Sequence, residues 1–133
     1  MKRTNLDYSA GLVRKADNDW KVVTLGLEHD APLDTVCFHI QQTAEKLLKA
    51  LLAWKGVKYP FTHDLRDLLD LAAPLFPVLE EFRPTLPSYS EFAVAMRYDD
   101  RCDPTLESTR CAYDTVGRLR TTVHGLLPPE ARP

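Results

Sequence analysis

Apolar residues recur every three or four positions through most of this chain, which is the spacing of one face of an α-helix and not the two-residue alternation of a strand. The clearest run is Val36, Ile40, Ala44, Leu47, Leu48, Leu51 and Leu52, with His39, Gln42, Thr43, Lys46 and Lys49 filling the other side. It predicts a helix over 33–55. At about 1.5 Å per residue such a helix is roughly 35 Å long, enough to be the spine of a small bundle. Leu47 and Leu51 lie mid-helix on the apolar face and are expected at the centre of the core. Gly56 should end the helix, because a residue without a side chain is the cheapest occupant of the left-handed position just past a helix end.

The same periodicity predicts a helix over 16–29, with Ala16, Trp20, Val23, Thr24 and Leu27 on one face and Pro32 separating it from the spine. A third helix is expected after Phe61-Thr62-His63, with Leu65, Leu68, Leu69 and Ala72 inward and Asp64 in its first turn, at the positive end of the helix dipole. Pro74, Pro77, Pro84 and Pro87 make 74–87 the least regular stretch, holding one or two short turns of helix with Val78, Leu79 and Phe82 against the core. Ser88-x-x-Glu91 reads as a capping box opening a helix that continues through Phe92, Ala95 and Met96 toward Arg97. A polar loop over 98–104 precedes the last helix. That helix runs from Pro104 or Thr105 to about Leu127, with Leu106, Ala112, Tyr113, Val116, Leu119, Val123 and Leu126 on one face and Pro128-Pro129 ending it. Residues 1–14 carry few apolar anchors and are expected to form an N-terminal arm. The pattern therefore implies one all-α domain over 1–133 with its core at about 16–127, built as a bundle of four to five helices without internal repeats.

At 133 residues the chain is long enough to bury a core without staples. A formal charge of -2 gives no general attraction to nucleic acid or membrane, so RNA binding would have to come from a local patch such as Arg110, Arg118 and Arg120. Cys37, Cys102 and Cys111 are odd in number and contain no CxxC pair, which points to reduced thiols and a cytoplasmic setting. The polar N-terminus and the absence of a long apolar run argue against a signal peptide or membrane helix. No histidine and carboxylate set has zinc spacing, no glycine-rich loop precedes a helix, and no GxSxG is present. The sequence calls for no metal and no cofactor.

The order Phe38-His39-x-Gln41-Gln42-x-Ala44-Glu45-Lys46-x-Leu48-Lys49-Ala50-Leu51-Leu52, then Gly56, then Thr62-His63-x-Leu65-x-x-Leu68-Leu69, resembles the HEPN domain (higher eukaryotes and prokaryotes nucleotide-binding). The resemblance extends from about Trp20 to about Leu127. It implies an antiparallel up-and-down helical bundle that commonly forms homodimers and is frequently encoded beside, or fused to, a small nucleotidyltransferase. No nucleotidyltransferase segment is present here, so such a partner would be a separate protein, as in a toxin–antitoxin pair.

Many HEPN proteins that cut RNA carry an arginine, four to six residues, then a histidine, and Arg118-Leu119-Arg120-Thr121-Thr122-Val123-His124 meets that spacing. Arg118 and His124 would then be catalytic, the arginine stabilising charge on the phosphate and the histidine moving the 2′-hydroxyl proton without a metal. Two features oppose this. Leu119 stands where nuclease members usually carry a polar residue, and six residues of helix turn through about 600°, so Arg118 and His124 do not share a face. Arg120 and His124, four apart, do. The plainer reading is a solvated arginine pair and a histidine favoured by the helix C-terminus.

Arg97-Tyr98-Asp99-Asp100 resembles the Arg-Tyr-Pro-Asp of some family members without its proline. Arg97 and Tyr98 are candidate ligand-binding residues, the guanidinium for phosphate and the ring for stacking, although a helix-end role for Arg97 is favoured. His63, at a helix start where backbone amides can receive an anion, is a third ligand-binding candidate, and His39 could line a polar groove or a dimer seam. Three readings follow: a homodimeric interaction protein partnering a nucleotidyltransferase, which is preferred; an RNase toxin using Arg118 and His124; and a nucleotide- or phosphate-binding module.

Overall fold

The computed structural model describes residues 2–94, 98–100 and 103–132. The chain is an all-α bundle. The α-helices with bounds among the described residues are α1 (Asn5–Glu28), α2 (Leu33–Trp54), α3 (Leu65–Ala72) and α4 (Leu106–Leu126), with 3-10 helices at Pro77–Phe82 and Leu86–Ala93 between α3 and α4 and one at Pro129–Ala131 after α4.

Residues 5–14 are helix, not an arm. Thr4 Oγ1 accepts from the Asp7 amide at 3.2 Å while the Asp7 carboxylate accepts from the Thr4 amide at 2.8 Å, so a reciprocal capping box starts α1. The buried face then runs through Ser9, Val13, Ala16, Trp20 and Val23 to Gly26. Its N-terminal part lacks large apolar residues because it is a close-approach face. Ser9 is fully buried, and its hydroxyl donates to the Ala50 carbonyl of α2 at 2.8 Å.

Gly26 makes the matching approach at the other end of the pair. A Cβ there would lie 2.8 Å from Val36 Cγ2 and 3.3 Å from Ala31 Cβ, neither of which is the end of a flexible side chain. Gly26→Ala is therefore expected to destabilise the protein by roughly 1–3 kcal/mol from overpacking, reduced by the better helix propensity of alanine, about 1 kcal/mol. A urea denaturation midpoint at or above the wild-type value would show that α1 and α2 can separate at no cost.

Ser9 beside Ala50 and Gly26 beside Val36 make α1 and α2 an antiparallel pair. Gly56 ends α2's extension at φ 69°, as its position predicts, and its bare backbone leaves room for the Asn5 amide. Residues 55–64 then return along α2, bringing His63 beside Glu45. Phe76, just past α3, stacks on Trp54 at the end of α2, so α3 runs along α2 in the same direction. Asp64 is the N-cap of α3, accepting from the Arg66 amide at 2.9 Å, one position outside the helical turn expected of it. α4 packs antiparallel to α1, with Tyr113 stacked on Trp20 and Arg120 reaching Asp17.

Ser88 and Glu91 do not form a capping box. Leu86–Ala93 is a 3-10 helix with a proline at its start, and Ser88 Oγ donates backward to the Thr85 carbonyl at 2.7 Å. The expected continuation through Ala95 and Met96 to Arg97 lies outside the described residues, as does Cys102.

Leu47, Leu48, Leu51 and Leu52 of α2 are fully buried, as are Leu65, Leu68 and Leu69 of α3, Leu79 and Phe82 between them, and Ala112, Val116, Leu119 and Val123 of α4. Val78 and Leu106, expected inward, are instead 47% and 51% exposed, each at the first turn of its helix where the packing face has not yet engaged. No helix among the described residues is long and apolar enough to cross a membrane.

Candidate functional site

The polar side of α2 is not a simple solvated face. Glu45 falls among Ala44, Leu48 and Leu52 and is only 4% exposed, so its charge requires partners. Its Oε1 meets His63 Nδ1 at 2.8 Å and accepts from Gln41 Nε2 at 3.2 Å, while Oε2 accepts from Lys49 Nζ at 3.1 Å. Gln41 also donates to the His63 carbonyl at 2.9 Å, which locks the 55–64 return against α2.

A second buried carboxylate repeats the arrangement one helix away. Asp19 of α1 takes Lys46 on Oδ2 and His39 Nδ1 on Oδ1, the latter at 2.8 Å. An ionised carboxylate can only accept, so His39 donates to Asp19 from Nδ1. This orientation of an imidazole by a carboxylate is the one used by general bases. A small concavity is lined by His39 together with Asp34, Thr35 and Phe38.

The arginine–histidine stretch of α4 divides between two environments. Arg120 donates to Asp17 Oδ1 at 3.1 Å, and its guanidinium carbon stands 5.1 Å from the centroid of the Trp20 ring. His124 Nε2 lies 3.9 Å from the same Asp17 oxygen, too far for a hydrogen bond. Arg118, by contrast, is exposed and covers Phe82, its guanidinium carbon 5.7 Å from that ring's centroid. Arg120 and His124 therefore converge on Asp17, as their four-residue spacing implies, and Arg118 does not join them. Arg118 and Arg120 both border an open groove of about 440 Å³ over Trp20 and Tyr113, whose lining does not include His124.

Burial lowers the His124 pKa below its ordinary 6.5, Asp17 opposing that shift and Arg120 and Arg132 adding to it. The unfolded chain consequently binds a proton there more readily than the folded one. His124 should contribute a pH dependence in which stability is complete above pH 6.5 and is lost as pH falls through the lower, folded value. In His124→Gln this part of the acid-side decline should vanish. Parallel stability–pH curves for the variant and wild type would show that His124 is as solvated folded as unfolded.

The remaining candidates are placed as follows. His63 is half exposed and held by Glu45. The α3 amides beside it already have acceptors, Leu65 N donating to Ser90 Oγ at 2.8 Å and Arg66 N to Asp64, so they are not open to an anion. Tyr98 is 78% exposed, and Arg97 lies outside the described residues. Among the aromatic side chains, Trp20 is buried on Tyr113, Trp54 is partly buried against Phe76, Tyr59 lies under Lys49, and Phe61 stands 98% exposed. Cys37 is buried against the Thr109 hydroxyl, which leaves its thiol pKa raised by desolvation, and Cys111 is an exposed thiol. Among the described residues no three His, Cys, Asp or Glu side chains converge to hold a metal ion.

Sequence reasoning missed Asp17, Asp19 and Glu45. A signal existed for two of them. Asp19 sits three residues after Ala16 and four before Val23, and Glu45 four before Lys49 inside a leucine stripe, so both carboxylates fall where a helix is apolar and must be paired.

The family model for the HEPN domain matches residues 9–126 of the chain. No curated protein and no solved structure matches it.

Proposed function

Because the chain belongs to the HEPN family, we propose that it is an interaction protein: a homodimeric helical bundle acting in the cytoplasm with a separately encoded nucleotidyltransferase, in a toxin–antitoxin-like pair. The observation that supports this reading is the separation of Arg118 from Arg120 and His124. Arg120 is spent on Asp17 and Trp20, and Arg118 lies over Phe82, apart from His124. A metal-independent RNase needs a free cation and a proton-transfer group facing one phosphate, and a single copy of this chain does not assemble that pair. The fully exposed Phe61 ring is an apolar contact left for another subunit.

RNA cleavage is the second reading, favoured by one feature. His124 Nε2 and Arg120 Nε are buried without hydrogen-bond partners, polar atoms of the kind a substrate or second subunit would satisfy.

Purified protein should scatter light as twice 15.1 kDa, co-purify with the nucleotidyltransferase when the two are expressed together, and leave total RNA and tRNA intact in the presence of a chelator. A mass of 15.1 kDa at micromolar concentration would remove the dimer from this reading. Cleavage by wild type that is lost in Arg118→Ala and His124→Ala would overturn it in favour of the RNase. Cleavage lost in Arg120→Ala and His124→Ala but kept in Arg118→Ala would do so through the same-face pair.

A further inference from the structure

A further concavity is lined by no residue of α4. It holds about 650 Å³ between the first turns of α1 and the end of α2, within the range of sites for small organic ligands. Arg3, Arg14, Lys15 and Lys58 supply four cations around it, and Tyr8 and Tyr59 supply two rings. No aspartate or glutamate lines it.

Two of these exposed cations are held close together. Arg3 Nη2 and Arg14 Nη2 lie 3.1 and 3.6 Å from one point, the position a Gly11 Cβ would occupy, so the two guanidinium groups are neighbours over a bare patch of helix. Arg3 is fixed there by donating to the Asp7 carbonyl at 3.1 Å and by standing 4.4 Å over the Tyr8 ring. Like charges brought this close repel one another unless an anion joins them. Among the described residues Arg3, Arg14, Lys15 and Lys58 make no ion pair, although the Asp7 carboxylate acts on Arg3 through space. Asp7, the nearest carboxylate in sequence, is turned to the Thr4 amide in the capping box.

The floor differs in character from the rim. Leu12, Ala53 and Val57 form an apolar base, and the Tyr59 ring is only partly exposed. A bare inorganic ion would use the cations and waste this base, whereas an apolar molecule would leave the cations unsatisfied. We propose that this concavity binds a small organic phosphate with a flat apolar body, the phosphate taken by Arg3, Arg14 and Lys58 and the body laid on Leu12 and the two tyrosines. Bidentate guanidinium geometry suits a phosphate head, and tyrosine offers a ring face with a polar edge. The site uses none of the α4 residues. Its failure would leave the interaction reading standing, and failure of that reading would leave the site.

Isothermal titration with 1-naphthyl phosphate, inorganic pyrophosphate and uncharged 1-naphthol separates the two halves of the site. Wild type should bind naphthyl phosphate saturably, pyrophosphate more weakly and naphthol not measurably, with affinity falling as salt rises. Arg14→Ala and Lys58→Ala should each weaken naphthyl phosphate on the order of tenfold or more, as expected for losing one charge-assisted hydrogen bond. Lys21→Ala, an exposed α1 cation outside the concavity, should bind as wild type. Circular dichroism of each variant separates lost binding from lost folding, and Arg14→Lys, which keeps the charge, should retain part of the affinity. Absence of saturable binding by either phosphate probe overturns the proposal. So does naphthol binding as tightly as its phosphate, pyrophosphate binding as tightly as naphthyl phosphate, or unchanged affinity in folded Arg14→Ala and Lys58→Ala.

Discussion

Replacing Leu51 by alanine is expected to cost roughly 2–5 kcal/mol of folding free energy, and Leu47→Ala the same. Both side chains are completely buried in the middle of α2, the helix against which α1, α3 and α4 all pack. The loss has two parts: the apolar area no longer removed from water, and the cavity left behind, which α2 cannot close because three other helices fix its position. Leu48 and Leu52 occupy the neighbouring positions of the same stripe and are equally buried, so the surroundings are too tightly filled to collapse. The loss should appear as a lower urea midpoint with an unchanged slope, because the variant exposes nearly the same surface on unfolding. Midpoints equal to wild type in both variants would mean that α2 presents another face to the core.

Glu45→Ala is expected to be the most damaging change among the polar residues, at about 2–3 kcal/mol. Deleting one member of a buried ion pair strands the other, and here Lys49, whose side chain is 13% exposed, would lose the one carboxylate that pairs with it among the described residues. Gln41 and His63 would lose an acceptor at the same time. The figure is set below that of a fully enclosed pair because the His63 side chain is 50% exposed and water can replace part of its bond. Glu45→Gln keeps the shape and one acceptor oxygen, so it should recover part of the loss. In Lys49→Met the stranded charge is absent, and the double variant Glu45→Ala, Lys49→Met should be less destabilised than the two single losses added together. Additive losses would show that Glu45 and Lys49 do not act as a pair.

The resemblance to HEPN proteins rested on residues that the fold uses in a definite way. His39, Gln41, Glu45, Lys46, Lys49 and His63 belong to two carboxylate-centred networks, one joining α2 to α1 and the other joining α2 to the 55–64 return. The motif is thus an architectural one in this chain, holding two neighbours of α2 in register. That is why it identifies the family well and names a reaction poorly.

The helical class, the extent of α2, the glycine that ends it and the leucines at the centre were all determined by the sequence alone, because each depends on spacing within a single helix. Apolar residues three and four apart must share a face, and a positive φ just past a helix end suits glycine above all others. What only the tertiary structure decided depends on pairs distant in the chain. Ser9 and Gly26 carry no apolar signal, yet they set how closely α1 approaches α2, and so the residues that looked like an arm are the first turns of a helix. Asp19 meets His39 and Lys46, Glu45 meets His63, and Asp17 draws Arg120 away from Arg118. Lys58 joins Arg3, Arg14 and Lys15 around one concavity because the chain beyond α2 lies beside the start of α1. Periodicity places a side chain on a face of its own helix, but which charge it meets is settled only when another helix is laid against that face.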